Sequence, residues 1–250
     1  MLETERFASM DKVNLIGIRF RVTADFHADI ELVTGVDCDV WDLNGPHLEQ
    51  VSMKDSDGDI LVTAVTHEDR IPIAVAETVR ADYPVEIKQV VKENKILHRV
   101  FFITKPGETY VTDKWVSVYT GKDCTEPQEE ALSLLKQAVQ DGYSHNLKAH
   151  RERWEELWKH SEVVIEGDDK AMEAVNYSLY HLHSIAPRHT ESLSIPARGL
   201  SGQTYKGAVF WDTEMFMLDF FLMSDPKTAR VLMKYRIDTL DGALKKAAHY

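Results

Sequence analysis

Only two cysteines, Cys38 and Cys124, occur in 250 residues. They lie far apart and fit no metal-ligand spacing, so neither a disulfide framework nor a zinc module organises the chain, and two reduced thiols are expected. No run approaches the ~18 uncharged apolar residues of a membrane span. The opening Met1-Leu-Glu-Thr-Glu-Arg6 lacks the basic-then-apolar pattern of a secretory leader, and a cytoplasmic location is expected. Basic residues are outnumbered, 29 Lys and Arg against 41 Asp and Glu, leaving a net charge of −12. That sign argues against nucleic acid and anionic membrane as partners. It leaves a neutral sugar open. The chain has no internal repeat and no low-complexity tract. Eleven histidines are present but scattered. His181 and His183, two apart on a predicted helix, point to different faces and read as ordinary helix side chains rather than a metal pair.

What is present divides into two halves. From Met1 to about Gly121 the pattern is of strands: Val13–Ala24, Asp29–Val36, Gly58–His67, Ile71–Arg80, Val85–Glu93, Ile96–Lys105 and Glu108–Thr120. In the first of these Ile16, Ile18, Phe20 and Val22 form one face, with Gly17, Arg19 and Arg21 outward. Turn signals at Asp57-Gly58, Glu93-Asn-Lys95 and Lys105-Pro-Gly-Glu108 predict short connections, hence an antiparallel meander or sandwich. Asp55-Ser-Asp-Gly-Asp59 has a calcium-loop flavour but lacks the distal Glu, and reads as a hairpin turn.

After Pro127 the period becomes helical. Leu132, Leu135 and Val139 predict a helix ending near Gly142. Ser144 is read as the N-cap of a second, carrying Leu147, Trp154, Leu157 and Trp158. Asp168 or Asp169 caps a third, with Met172, Val175, Leu179, Leu182 and Ala186 as its stripe and Pro187 as its stop. Glu214–Met223 is apolar nearly all round, with Asp219 as an interior charge. Asp225-Pro226 opens a further helix, and Asp238 to Tyr250 reads as helix again. Few other helices exist to cover Glu214–Met223, and the periodic pattern runs up to the last residue, so a partial chain is expected.

Ile195 to Phe216 carries the chemistry. A loop rich in Gly and small polar residues runs into Phe210-Trp-Asp-Thr-Glu214 and then the apolar helix. A flat indole suits the C–H face of a sugar ring, and a neighbouring carboxylate can accept from its hydroxyls. Plainer readings stand beside this one: Asp212 as a helix N-cap, Glu214 as a first-turn acid favoured by the helix dipole, Trp211 as a core residue. In an α-helix Glu214 sits about 200° round from Asp212, so both cannot face one sugar. Arg198 and Tyr205 could shape the pocket. Lys206 reads as a solvated lysine, and Trp115, Trp154 and Trp158 as packing residues.

Taken in order, Glu5-Arg-Phe-Ala-Ser-Met10, Val13-Asn-Leu-Ile-Gly-Ile-Arg19, His150 with Trp154, Leu157 and Trp158, Val164-Ile-Glu-Gly-Asp168, Ala197-Arg-Gly-Leu-Ser-Gly202, Tyr205-Lys-Gly207 and Phe210-Trp-Asp-Thr-Glu214 resemble glycoside hydrolase family 65. The resemblance covers nearly the whole chain. It implies a multi-domain α+β fold: an incomplete antiparallel β-sandwich over 1–122, a helical linker over 123–166 and the first helices of an (α/α)6 barrel over 167–250. A barrel of twelve helices needs roughly 350 residues, and about 85 follow Glu166, so a slice of a longer enzyme is expected.

The resemblance also implies chemistry. Full-length members bind an α-glucosyl disaccharide and inorganic phosphate as co-substrate, need no cofactor, and in many cases are homodimers. A glutamic acid protonates the bridging oxygen while phosphate attacks the anomeric carbon from the opposite face, giving β-glucose 1-phosphate. This is inverting glycosidase logic with an anion in place of an activated water, so one general acid suffices. By the family's order that acid lies beyond Tyr250, and the isolated chain is expected to be inactive. Trp211 and Asp212 are implied to line the pocket for the non-reducing glucose. Two alternatives remain open: a trehalase-like hydrolase of the same family, and a non-catalytic sugar-binding remnant. One departure is Ala208, where many members carry histidine.

Overall fold

The computed structural model describes residues 1–42, 45–199, 204, 205 and 207–249. The chain forms two compact units, Met1–Arg153 and Trp154–Tyr250. The predicted boundary at 122/123 falls between the last strand and the first helix, both of which belong to the first unit.

The first unit is antiparallel throughout its main sheets. Six strands, β1 (Leu2–Ala8), β2 (Leu15–Thr23), β6 (Leu48–Ser56), β7 (Asp59–Thr66), β8 (Pro72–Ala81) and β11 (Thr109–Thr120), form one sheet in the order β1-β2-β11-β8-β7-β6. Three more, β3 (Ala28–Asp37), β9 (Glu86–Lys92) and β10 (Lys95–Thr104), form a second in the order β3-β10-β9. A two-residue ribbon joins β4 (Trp41–Asp42) to β5 (Gly45–Pro46). The Asp57-Gly58 hairpin is as the sequence predicts. Both residues have positive φ, 57° and 86°, as the turn joining right-twisted strands requires.

The larger sheet is covered on both faces. On one, Val79 and Tyr110 meet Val100 and Phe102 of the smaller sheet, and Ile60 and Val62 meet Ile96. On the other, Phe7, Leu15, Leu61 and Trp115 pack against Ala131, Leu134, Leu135 and Ala138 of α1 (Pro127–Asp141) and Tyr143, which opens α2 (Tyr143–Lys159). This double cover corrects the outward placement of Gly17, Arg19 and Arg21. Gly17 is buried, because any Cβ there would stand 2.7 Å from the rings of both Phe7 and Trp115. Arg19 lies beneath Tyr143, its guanidinium 4.1 Å from the ring centroid. It forks onto Asp113 at 2.6 and 2.7 Å, a pairing that raises its pKa. Ser144 is likewise corrected: α2 starts at Tyr143, and the carbonyls of Ala138 and Gly142, which also accept backbone N–H groups, receive the side-chain amide of Asn146 at 3.1 and 2.9 Å.

A charged cluster is buried between the two sheets. Glu77 and His98 are 0% and 2% exposed, and Lys114 is 9%. Lys114 Nζ lies 3.2 Å from Glu77 Oε2 and donates to Thr34 Oγ1 at 2.6 Å. The contact with Glu77 is Coulombic, since that carboxylate oxygen has no aligned hydrogen bond. His98 Nδ1 lies 3.4 Å from the other oxygen of Glu77.

The second unit contains the end of α2 and then α3 (Asp169–Ile185), a π turn (Thr213–Met217), α4 (Leu218–Ser224), α5 (Pro226–Asp238) and α6 (Leu240–Ala247). The predicted caps are present: Asp168 accepts from Ala171 N at 3.0 Å, and Asp225 from Thr228 N at 3.2 Å with Pro226 in the first turn. The core is Ile195, Phe221, Ala229 and Leu232, with Leu182, Ile185 and Ala186 packed on it. Asp219 is exposed rather than interior, because only one side of α4, that of Phe221, is covered. The last predicted helix is interrupted at Thr239 before α6.

Candidate functional site

The site is built on Ile195. Its side chain is 1% exposed in the core of the second unit. Its carbonyl accepts from the buried hydroxyl of Thr213 at 2.8 Å. Ile195 and Thr213, at the two ends of the loop, are thereby pinned together. Within it Ala197 N donates to Ala208 O at 3.3 Å, and Ala208 N to Tyr205 O at 2.9 Å. Gly199 takes a positive φ of 58° against Ile185, where a Cβ would stand 2.0 Å from Cδ1. Tyr205 packs edge-on to Phe210 at 5.5 Å, with the Arg198 guanidinium over its ring at 5.6 Å from the centroid. Leu200, Ser201, Gly202 and Lys206, which belong to the sequence motif, lie outside the described residues.

Trp211 and Asp212 follow the loop and begin a helical segment of unusual pitch. Trp211 O accepts from both Glu214 N at 3.1 Å and Met215 N at 3.0 Å. Leu218 N then reaches back five residues to Thr213 O. That i→i+5 bond defines a π turn, a feature often found at functional positions. The core reading of Trp211 does not hold, since the indole is 68% exposed. The capping reading of Asp212 does not hold either: φ −53°, ψ −35° are helical, and its side chain makes no cap hydrogen bond. Among the described residues the half-buried Asp212 carboxylate meets no hydrogen-bond donor. An exposed indole therefore stands next to a carboxylate to which no described residue donates.

Glu214 is placed differently. Arg236 of α5 grips both of its oxygens, Nε to Oε1 and Nη2 to Oε2, each at 2.8 Å. The same Nη2 donates to Phe210 O. Pairing with Glu214 holds the Arg236 pKa above its ordinary value. The sequence gives no sign of this partner, which lies 22 residues downstream. Met215, Phe216, Leu222 and Met223 are exposed, as Trp211 is.

The second unit also holds a polar relay. Arg188 donates to His183 Nδ1 at 2.8 Å and to Asp225 Oδ2 at 3.0 Å, and His183 Nε2 meets Ser161 Oγ at 2.8 Å. Burial, helped by the Arg188 cation, pushes the His183 pKa down to about 4. Burial opposes ionisation of Asp225, but hydrogen bonds from Thr228 and Arg188 outweigh it and lower that pKa. His181 faces elsewhere, exposed against Tyr177 at 4.3 Å. Trp154 stacks on Tyr180 at 5.1 Å and on Trp158 at 6.4 Å, in the packing role expected of the two indoles. A hollow of about 510 Å³ lined by Glu155, Trp158, Lys159, Glu162, Met172 and Asn176 shares no residue with the Trp211 segment. Among the described residues no group of three or more His, Cys, Asp or Glu gathers as a metal site, and no helix is long and apolar enough to cross a membrane.

Comparison with known proteins decides the ancestry. The family model for the glycosyl hydrolase family 65 N-terminal domain matches residues 1–157. The chain belongs to glycosyl hydrolase family 65. The model of that family's central catalytic domain matches residues 176–250. Similar curated proteins are a nigerose phosphorylase of Lachnoclostridium phytofermentans, 42% identical across 100% of this chain and 36% of its own length, and a kojibiose phosphorylase of Escherichia coli, 32% identical across 98% and 34%. A kojibiose hydrolase of Flavobacterium johnsoniae is 39% identical across 58% of this chain and 21% of its own. The chain thus spans about a third of the length of the relatives it matches most fully. A solved chain assigned as a kojibiose phosphorylase from the human microbiome superposes with a TM-score of 0.87 at 19% identity, over 96% of this chain and 32% of that one. It supports the same mixed fold, antiparallel sheets followed by the start of a helical barrel.

Proposed function

We propose that this chain supplies the glucose-holding part of an α-glucosyl disaccharide phosphorylase, with Trp211 and Asp212 as the sugar ligands. One observation carries the reading: Trp211 is exposed beside a carboxylate that no described protein group satisfies. The indole offers an apolar plane to the sugar ring, and Asp212 accepts from adjacent hydroxyls. Each such charge-assisted hydrogen bond contributes about 1.5–3 kcal/mol, and together they fix the orientation of the ring. Inorganic phosphate then attacks the anomeric carbon from the face opposite the leaving sugar, giving inversion, while a glutamic acid supplied outside these 250 residues protonates the bridging oxygen. Phosphate is already anionic, so a carboxylate base beside it would repel it. The reaction needs disaccharide and phosphate and no cofactor.

Incubation of the purified chain with nigerose, kojibiose, maltose or trehalose, with and without phosphate, tests this. Saturation transfer from protein to the glucosyl protons is expected, without β-glucose 1-phosphate. Appreciable β-glucose 1-phosphate would put the acid inside the chain, and absence of any sugar contact would remove the reading. A hydrolase relative exists, so release of free glucose without phosphate would move the assignment to hydrolysis.

A further inference from the structure

Glu214 ends the Trp211-Asp-Thr-Glu214 signature, yet its carboxylate is already committed. Arg236 takes both oxygens at 2.8 Å through Nε and Nη2. Through the same Nη2 it also holds the carbonyl of Phe210. Phe210 and Glu214 flank Trp211 and Asp212, so one guanidinium grips the backbone on one side of the pair and a side chain on the other. A planar two-point fork fixes angle as well as distance, which the point charge of a lysine cannot do. Behind the pair, Thr213 is tied to Ile195 O at 2.8 Å. Trp211 and Asp212 have no side-chain hydrogen bond of their own among the described residues, so their placement depends on these neighbours.

We propose that Arg236 is a positioning residue that sets the orientation of the Trp211–Asp212 pair, and that Glu214 is its anchor rather than a sugar ligand. This rests on the assignment of Trp211 and Asp212 to sugar binding. Both oxygens of Glu214 are engaged by Arg236, and that pairing explains why an acid should recur two residues after the first one. Glu214, inside the π turn, meets α5 through Arg236, while Asp212 immediately precedes the turn.

The test uses the whole chain labelled with 5-fluorotryptophan, the Trp211 signal being assigned by Trp211→Phe. Two readouts are taken for Arg236→Lys, Arg236→Gln, Glu214→Gln and Asp212→Asn: affinity for kojibiose or nigerose, and the position and width of the Trp211 fluorine resonance without sugar. Arg236→Lys and Glu214→Gln are expected to weaken sugar binding about tenfold or more, as misplacement of binding groups does, and to shift or broaden the Trp211 resonance. The double variant Arg236→Lys/Glu214→Gln should lose no more than either single one. A purely structural role would lower the melting temperature while leaving both readouts unchanged in folded protein, and that result overturns the proposal. Loss of affinity in Glu214→Gln alone, with Arg236→Lys unaffected, also overturns it, because Glu214 would then touch sugar. If Asp212→Asn leaves sugar binding intact, the site assignment itself is wrong, and the sugar-free fluorine spectrum still decides the role of Arg236.

Discussion

Arg188 donates to Nδ1 of His183 at 2.8 Å, and a guanidinium cannot accept, so the imidazole proton sits on Nε2, where Ser161 Oγ receives it at 2.8 Å. Ser161 passes its own proton to Leu157 O at 2.9 Å. Every member of this relay is satisfied only while His183 is neutral. A second proton on Nδ1 would face Arg188 directly.

This makes the stability of the second unit pH-dependent. The His183 pKa falls to about 4 in the folded state from 6.5, so between those values the unfolded chain binds the extra proton. Stability is therefore fully present above about pH 6.5 and falls as pH drops toward 4, by about 1–3 kcal/mol. Urea unfolding midpoints measured from pH 4 to 8 should show this slope, and His183→Gln should flatten it. An unchanged slope in the variant would place the titration elsewhere.

Gly17 sits between Phe7 and Trp115, its partners on the two neighbouring strands. Gly17→Ala puts a methyl 2.7 Å from both rings, and neither can retreat in a core also occupied by Tyr143. A loss of about 1–3 kcal/mol is expected from overpacking. It would be read as a lower urea midpoint at constant slope. Stability equal to the parent would show that the rings have room to move.

Much of this architecture was legible in the residues themselves. Asp57-Gly58 marks a hairpin, and Lys105-Pro-Gly-Glu108 the turn that carries the chain from the smaller sheet to the larger, because few residues tolerate the backbone angles there, and Asp168 and Asp225-Pro226 mark helix starts for an equally local reason. Two strands gave no such signal. β1 (Leu-Glu-Thr-Glu-Arg-Phe-Ala) buries only Phe7, and β6 is polar with an irregular register between Glu49 and Ser52. Both lie at edges of the sheet, where exposed charge blocks unwanted pairing and erases apolar alternation. The orientation of Gly17 and Arg19 was hidden for another reason: a sheet covered on both faces has no outward side. At the proposed site, the local sequence pointed to Trp211 and Asp212 but not to Arg236, whose contact with Glu214 depends on how α5 lies beside the π turn.

The buried Glu77–Lys114 contact leads to a paired prediction. Lys114→Met removes the cation and leaves Glu77, 0% exposed, without its counter-charge, at a cost of about 3–5 kcal/mol. Adding Glu77→Leu to that variant should recover most of the loss, because two apolar groups replace two desolvated charges. Chemical unfolding of the single and double variants checks this. A double variant no more stable than Lys114→Met would mean that Glu77 and Lys114 act independently.

The most direct test of the sugar-holding role is the affinity of the chain for an α-glucosyl disaccharide compared with that of its Asp212→Asn variant, measured by titration at pH 7 with the fold of each confirmed by its melting temperature. Loss of at least about tenfold in affinity is predicted, the value of one charge-assisted hydrogen bond. Equal affinity in the two proteins, or no binding by either, would contradict it.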